Sequence, residues 1–156
     1  MRTFCLDTSG FLDGFVRYYP PDVFESLWDL IDELGSAGRL LVPEEVHKEL
    51  EYHHDEAFDW VNERKDEVVV PTTAAVAQEV TDILLDYPGF VKEGSTRNRA
   101  DPFVVATAAL EDAVVVTGER QRGGTQTNPK IPTVCEGRGV PYARFLGVVQ
   151  EEGWSF

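Results

Sequence analysis

Three acidic side chains stand where the chain passes from one element to the next, Asp7 in "CLDTSG", Asp101 in "NRADPF" and Glu119 in "VVVTGE", and a fourth, Glu49, lies in "VHKELE". Carboxylates gathered in one place repel one another and hold protons unless a cation neutralises them. The chemistry of this chain therefore turns on whether its fold brings them together. Each has a plain reading when taken singly. Asp7 can open a turn, Glu49 can be a solvated helix residue and Glu119 a loop charge. Asp101 before Pro102 makes a good helix start, an aspartate cap followed by a proline whose missing donor costs nothing there.

The elements that must position these residues alternate between strand and helix. "RTFCL" is a short apolar run, and "DVFESLWDLIDEL" puts Val23, Phe24, Leu27, Trp28, Ile31 and Leu34 on one helical face. "RLLV" reads as a strand, and "PEEVHKELEYHH" as a helix with Pro43 at its first position and Glu44 and Glu45 in its first turn. A further helix is expected over 55–65, a strand at "EVVVP", a helix at "AAVAQEVTDILLDY" and a loop at "YPGFVKEGSTRNR". A helix from about 102 to 111 and a strand at 113–116 follow. Strands separated by helices of this length need crossover connections, so the class is α/β with a mostly parallel sheet. Asp7 and Glu119 each lie just past the C-terminal end of a predicted strand, where open parallel sheets bind their ligands. If the two strands are neighbours, both carboxylates face one cleft. Asp101 lies one helix and one strand back along the chain, and sequence arithmetic leaves its position open.

Composition narrows the class of protein. The chain has 156 residues, 42% of them apolar, enough for one domain over 1–156 with a single core. It has no apolar run of about 18 residues and no basic, apolar start of a signal peptide, so a cytoplasmic protein is expected. Cys5 lies in an apolar run and Cys135 in a loop-like segment; they form no C-x-x-C pair, and no disulfide is expected. A net charge of −14 argues against coating nucleic acid by bulk attraction. The charge is uneven, however: residues 1–91 carry 20 acidic and 6 basic side chains, and residues 92–156 carry 8 of each. Between 120 and 144, Arg120, Arg122, Lys130, Arg138 and Arg144 face the single acid Glu136, a local excess suited either to phosphate or to solvent.

The segments "CLDTSGFLD", "VPEEVHKEL", "RADPFVVATA" and "VVVTGE", in this order over residues 4–119, resemble the PIN domain, the fold of metal-dependent ribonucleases that includes the VapC-type toxins of toxin–antitoxin pairs. "IPTVCEGRGVPYARFLGVV" resembles the tail of a PIN-like branch. The resemblance implies a three-layer α/β/α fold in which Asp7, Glu49, Asp101 and Glu119 converge as the catalytic and metal-binding acids, with Thr8 or Ser9 and Thr117 as polar supports. The closing motif departs from the family's more frequent T-x-D, because Glu119 is one methylene longer. Glu45 and Glu49 are four apart and share a helical face. Glu49 fits better, preceding Leu50 as in the family's E-L pair, and Glu45 is the reserve.

An all-oxygen donor set of this kind favours Mg²⁺ or Mn²⁺ over zinc. The implied activity is hydrolysis of RNA phosphodiesters by metal-activated water, with one or two ions and products bearing a 5′-phosphate and a 3′-hydroxyl. Arg97 and Arg99 precede Asp101, and Arg120 and Arg122 follow Glu119, so basic groups that can meet RNA phosphates bracket two of the acids. The resemblance also implies a cognate antitoxin and a homodimer as partners. The alternative is a PIN-like binding module for nucleic acid or protein, without turnover.

Other constellations carry less. His47, His53 and His54 share one helical region but lack the H-E-x-x-H spacing and read as surface residues. An aspartate after the first strand is also similar to haloacid-dehalogenase-type phosphotransferases, but Ser9 stands where their second aspartate would be. Neither glycine-rich phosphate loop, G-x-x-x-x-G-K-[ST] or G-x-G-x-x-G, occurs. Trp28 and Trp60 read as core residues, and Trp154 as a residue of an exposed terminal segment.

Overall fold

The computed structural model describes residues 1–92, 99–120 and 123–156. Its strands, β1 (Phe4–Leu6), β2 (Leu40–Pro43), β3 (Val69–Val70), β4 (Val114–Val116) and β5 (Tyr142–Ala143), form a five-stranded parallel sheet in the order β3-β2-β1-β4-β5. β1 is central, pairing Phe4 with Leu40 on one side and Leu6 with Val116 on the other. Every residue of β1, β2 and β4 is buried, as a parallel sheet covered on both faces requires. The fold is α/β, with helices flanking the sheet.

Two groups of helices supply the covering layers. α1 (Thr8–Leu12) leaves β1 at once and runs into a short π-helical stretch, Asp13–Tyr18. With α2 (Glu25–Ser36) and α4 (Asp55–Glu63) these build an aromatic cluster in which Trp28 meets Phe11, Phe15 and Trp60 with ring centroids 5.2–5.9 Å apart. α3 (Glu44–His53) follows β2, and α5 (Lys65–Val68) leads into β3. In the other group, α7 (Asp101–Glu111) packs against β1, β2 and β4, between α6 (Ala74–Asp86) and α8 (Ile131–Arg138). Small residues let α7 sit close to the sheet: Ala106 and Ala108 are fully buried beside Val104 and Val105. α9 (Phe145–Glu152) closes the chain.

Several expectations change in detail. The helix expected from Asp22 begins at Glu25, after Pro20 and Pro21, and leaves Val23 69% exposed. Pro43 ends β2 and caps α3 from outside, its backbone extended at ψ 143°. The strand at "EVVVP" shrinks to Val69–Val70, because Lys65–Val68 is helical. Cys135 lies in α8, not in a loop, and like Cys5 is a buried free thiol. Trp154 is only partly exposed and packs on the core. No helix among the described residues is long and apolar enough to cross a membrane.

Candidate active site

Asp7 is fixed by the backbone before its side chain is considered. Its N–H donates to the Val116 carbonyl at 2.9 Å, and its own carbonyl accepts from the Phe11 N–H at 2.9 Å, so it joins the sheet to α1. A close approach makes this possible: a Cβ on Gly10 would overlap the Val116 carbonyl. Oδ2 of Asp7 accepts from Ser9 Oγ and from Thr117 Oγ1, the latter at 3.0 Å. Ser9 Oγ in turn accepts from the Gly118 N–H at 3.0 Å, and Thr117 Oγ1 from the Glu119 N–H at 3.1 Å. Each hydroxyl has one proton, so the backbone amides of the loop after β4 direct both protons onto Asp7. Oδ1 is left without a hydrogen bond among the described residues.

Asp7 nonetheless has no cationic partner among the described residues. Burial pushes its pKa from the usual 3.8 to about 7; the Ser9 and Thr117 hydrogen bonds oppose the rise, and the charges of Glu119 and Glu49 reinforce it. Asp101 is also raised well above the usual carboxylate range, by burial first and then by Asp7, Glu119 and Glu49. Asp7 and Asp101, far apart in the sequence, therefore both feel the charges of Glu49 and Glu119. Asp101 is not a capping residue, as its sequence setting suggested. The cap position is Ala100, without a side-chain hydrogen bond; Asp101 is the first helical residue, and its side chain is buried.

Glu49 and Glu119 serve as anions at helix starts, where free N–H groups and the helix dipole favour negative charge. Glu49 Oε2 accepts from the Ala100 N–H at 3.1 Å, before α7, and Oε1 accepts from Thr8 Oγ1 at 3.2 Å. Thr8 thus supports Glu49, while Ser9 and Thr117 support Asp7. Glu119 Oε2 accepts from the N–H of Ile131, the first residue of α8, at 2.8 Å. Glu45, the reserve position, pairs with Lys48 at 3.1 Å instead. Among the described residues, no three Asp, Glu, His or Cys side chains make a ready-formed metal cage. The donor set fits a hard divalent cation all the same: it is wholly oxygen, and two of its carboxylates are buried without an ion pair among the described residues.

The basic candidates divide. Arg99 is exposed and lines an open pocket with Glu49; Arg120 is exposed and lines another with Glu119. Arg97 and Arg122 lie outside the described residues. The three histidines do not form one cluster: His47 is half-buried, its ring stacked on Phe58 at 4.9 Å between centroids, while the rings of His53 and His54 meet edge-on at 6.1 Å. Asp13 is a buried acid that sequence reasoning missed. It pairs with Arg17 at 2.9 Å and packs so close to Gly118 that a Cβ there would overlap its carboxylate. Nothing local marks Asp13, because the contact that buries it comes from the loop after β4.

Residues 4–156 match the family model described as "Domain of unknown function (DUF4411)". The chain belongs to this family. Among solved structures, the DUF4411 chain is similar to the crystal structure of VapBC2 from Rickettsia felis bound to a DNA fragment from their promoter. The match has 13% sequence identity and a TM-score of 0.51, and covers 75% of this chain and 87% of that one. At that identity the likeness is one of fold, and it agrees with the PIN-like resemblance of the sequence. No curated protein matches the chain.

Proposed function

We propose that this chain is a metal-dependent endoribonuclease that hydrolyses RNA phosphodiesters, and the toxin of a toxin–antitoxin pair. The observation that carries the reading is the buried pair Asp7 and Asp101, both raised in pKa by burial and by neighbouring acids, at the C-terminal end of a parallel sheet. Asp7, Glu49, Asp101 and Glu119 hold Mg²⁺ or Mn²⁺. When bound, the ion supplies positive charge against the scissile phosphate and a water of lowered pKa. Ser9 and Thr117 hold Asp7 by Oδ2 and leave Oδ1 as its available oxygen. Thr8 and the Ala100 N–H hold Glu49, and the Ile131 N–H holds Glu119. Arg99 and Arg120, with Arg97 and Arg122 from the same segments, contact substrate phosphates.

The antitoxin partner draws support from the fold neighbour, a VapBC2 assembly. The acidic surface of residues 1–91 suits a basic partner segment. A second reading, a PIN-like binding module without turnover, draws on Glu49, both of whose oxygens already accept hydrogen bonds.

One experiment separates the two. Purified protein is incubated with a mixed tRNA and rRNA pool in Mg²⁺, Mn²⁺ or EDTA, beside folded Asp7→Asn and Asp101→Asn variants. Cleavage that needs metal, disappears in both variants and leaves 5′-phosphate ends supports the nuclease. Ends carrying a 2′,3′-cyclic phosphate would sink the proposed chemistry. Absence of both cleavage and Mn²⁺ binding would favour the binding module.

A further inference from the structure

We propose that the substrate crosses this site as a single strand held by two nucleotide subsites, one beside Glu49 with Tyr52 as its stacking face, and one beside Glu119 built from Tyr142 and Arg144. The inference rests on the ribonuclease reading and deepens it.

Topology sets the two subsites on opposite sides of the buried acids. β2 and β4 flank β1, so Glu49, on the helix after β2, and Glu119, just after β4, approach Asp7 from different sides. Beside each is an open pocket. The first, about 310 Å³, is lined by Glu45, Lys48, Glu49, Tyr52, His53 and Arg99. The second, about 240 Å³, is lined by Thr117, Glu119, Arg120, Tyr142, Ala143 and Arg144. Each combines a candidate ligand acid, two cationic side chains and a tyrosine. In a chain with twice as many acidic as basic residues, Arg99, Arg120 and Arg144 all stand beside the candidate acids, together with Lys48, which is paired with Glu45.

Tyr52 has no core contact that explains its place, and Tyr142 packs only in part against the core and keeps an open side. Tyr52 is 82% exposed on the last turn of α3, with the His53 ring edge-on at 4.7 Å between centroids. Tyr142 is only partly buried on the edge strand β5, its hydroxyl donating to Glu136 at 2.9 Å. Arg144 donates from Nη2 to the Gly118 carbonyl at 3.3 Å, which holds its guanidinium beside the loop carrying Glu119. Aromatic faces beside cationic side chains are what proteins use to bind unpaired nucleotides, because every base has a face to stack and every link a phosphate. Neighbouring strands lie about 4.8 Å apart, so β2 and β4 are roughly 10 Å apart. A strand engaging both pockets has to pass over Asp7 and Asp101. A duplex keeps its bases stacked and offers none to either tyrosine.

The test measures binding apart from cutting. The full-length Asp101→Asn protein is titrated with a fluorescent 12-nucleotide single-stranded RNA and with the same sequence as a duplex. Cleavage is followed in parallel with otherwise wild-type protein. Single-strand binding is expected to be at least tenfold tighter than duplex binding. Tyr52→Ala and Tyr142→Ala should each weaken it by roughly 5- to 100-fold, the usual loss for one stacked base. Tyr142→Phe, which keeps the ring, should bind nearly as well as the parent. Arg144→Ala should lower the salt slope by about 0.7, as loss of one phosphate contact does on a single strand. Equal binding of duplex and single strand overturns the inference. So does undiminished binding and cutting by folded Tyr52→Ala and Tyr142→Ala proteins, an outcome that leaves the ribonuclease reading standing. Loss of a co-purified protein partner in these variants, with RNA binding unchanged, assigns the pockets to a protein and overturns the inference too. If the parent neither binds nor cuts RNA, both readings fall together.

Discussion

Glu49 Oε2 accepts a hydrogen bond from the backbone N–H of Ala100 at 3.1 Å, across 51 residues of sequence. The helix that carries Asp101 has no capping side chain of its own, and a carboxylate from α3 takes that place. Glu49 therefore positions Asp101 as well as lending its own charge to the site. Glu49→Ala should remove the acceptor and cost about 1 kcal/mol of stability, as cap losses do, while Glu49→Gln keeps an acceptor and should cost less. Urea denaturation compares them. If both variants lose nuclease activity but only the alanine loses stability, the two roles of Glu49 separate; equal stability losses would contradict the capping role.

Thr117 connects Asp7 to the loop after β4, donating to Asp7 Oδ2 and accepting from the Glu119 N–H. Thr117→Val keeps the shape and deletes the hydroxyl, leaving the Glu119 N–H and Asp7 each short of a partner. A loss of about 1–3 kcal/mol in stability is expected, with a fall of tenfold or more in metal affinity. Thr117→Ser should recover most of both. Manganese titration by calorimetry checks this, and a valine variant binding like wild type would remove Thr117 from the site.

Much of this architecture can be read in the sequence, and the exceptions share a cause. β1 and β4 are legible because strands buried on both faces are apolar without interruption, and the acids past their ends follow from that. "DTSG" reads as a turn because Asp, Thr, Ser and Gly all favour turns locally. It is helical from Thr8 because long-range contacts outweigh local preference: Gly10 packs on Val116, and Ser9 bonds Gly118. Asp101 reads as a cap since a helix start is all that its neighbours reveal; its burial depends on the path of α7 over the sheet and on Glu49. Asp13 is hidden for the same reason, buried by a contact with residue 118.

Gly10 is where the site is most sensitive to a small change. A methyl group there meets the Val116 carbonyl, on the buried strand β4, which has no room to withdraw. Gly10→Ala would normally favour a helix by up to about 1 kcal/mol. Here it should destabilise by about 2 kcal/mol or more, because overpacking against backbone outweighs propensity. A thermal melt decides the sign, and an unchanged or raised Tm would mean that α1 stands off from the sheet.

Asp7 ties stability to pH in a direction opposite to that of an ordinary salt-bridged carboxylate. Its pKa rises from 3.8 to about 7 on folding, so between those values the folded protein holds a proton that the unfolded chain has released. Stability is then greatest on the acid side and declines as pH rises towards 7, and Asp101 acts in the same sense. The full effect of Asp7 is at most about 4 kcal/mol, and relaxation around the charge should leave roughly 1–3 kcal/mol. In EDTA, the wild-type Tm should therefore fall from pH 5 to pH 8. Asp7→Asn keeps an oxygen for the Ser9 and Thr117 hydroxyls and carries no charge. It should melt above wild type at pH 8 and show a flatter profile, while losing nuclease activity. Adding Mn²⁺ should raise the wild-type Tm at pH 8 and leave the variant nearly unmoved, because the ion supplies the positive charge that the buried carboxylate lacks. A wild-type Tm that climbs from pH 5 to pH 8 in EDTA would mean that a cation from the protein itself already neutralises Asp7, and the case for a metal at this site would lose its physical basis.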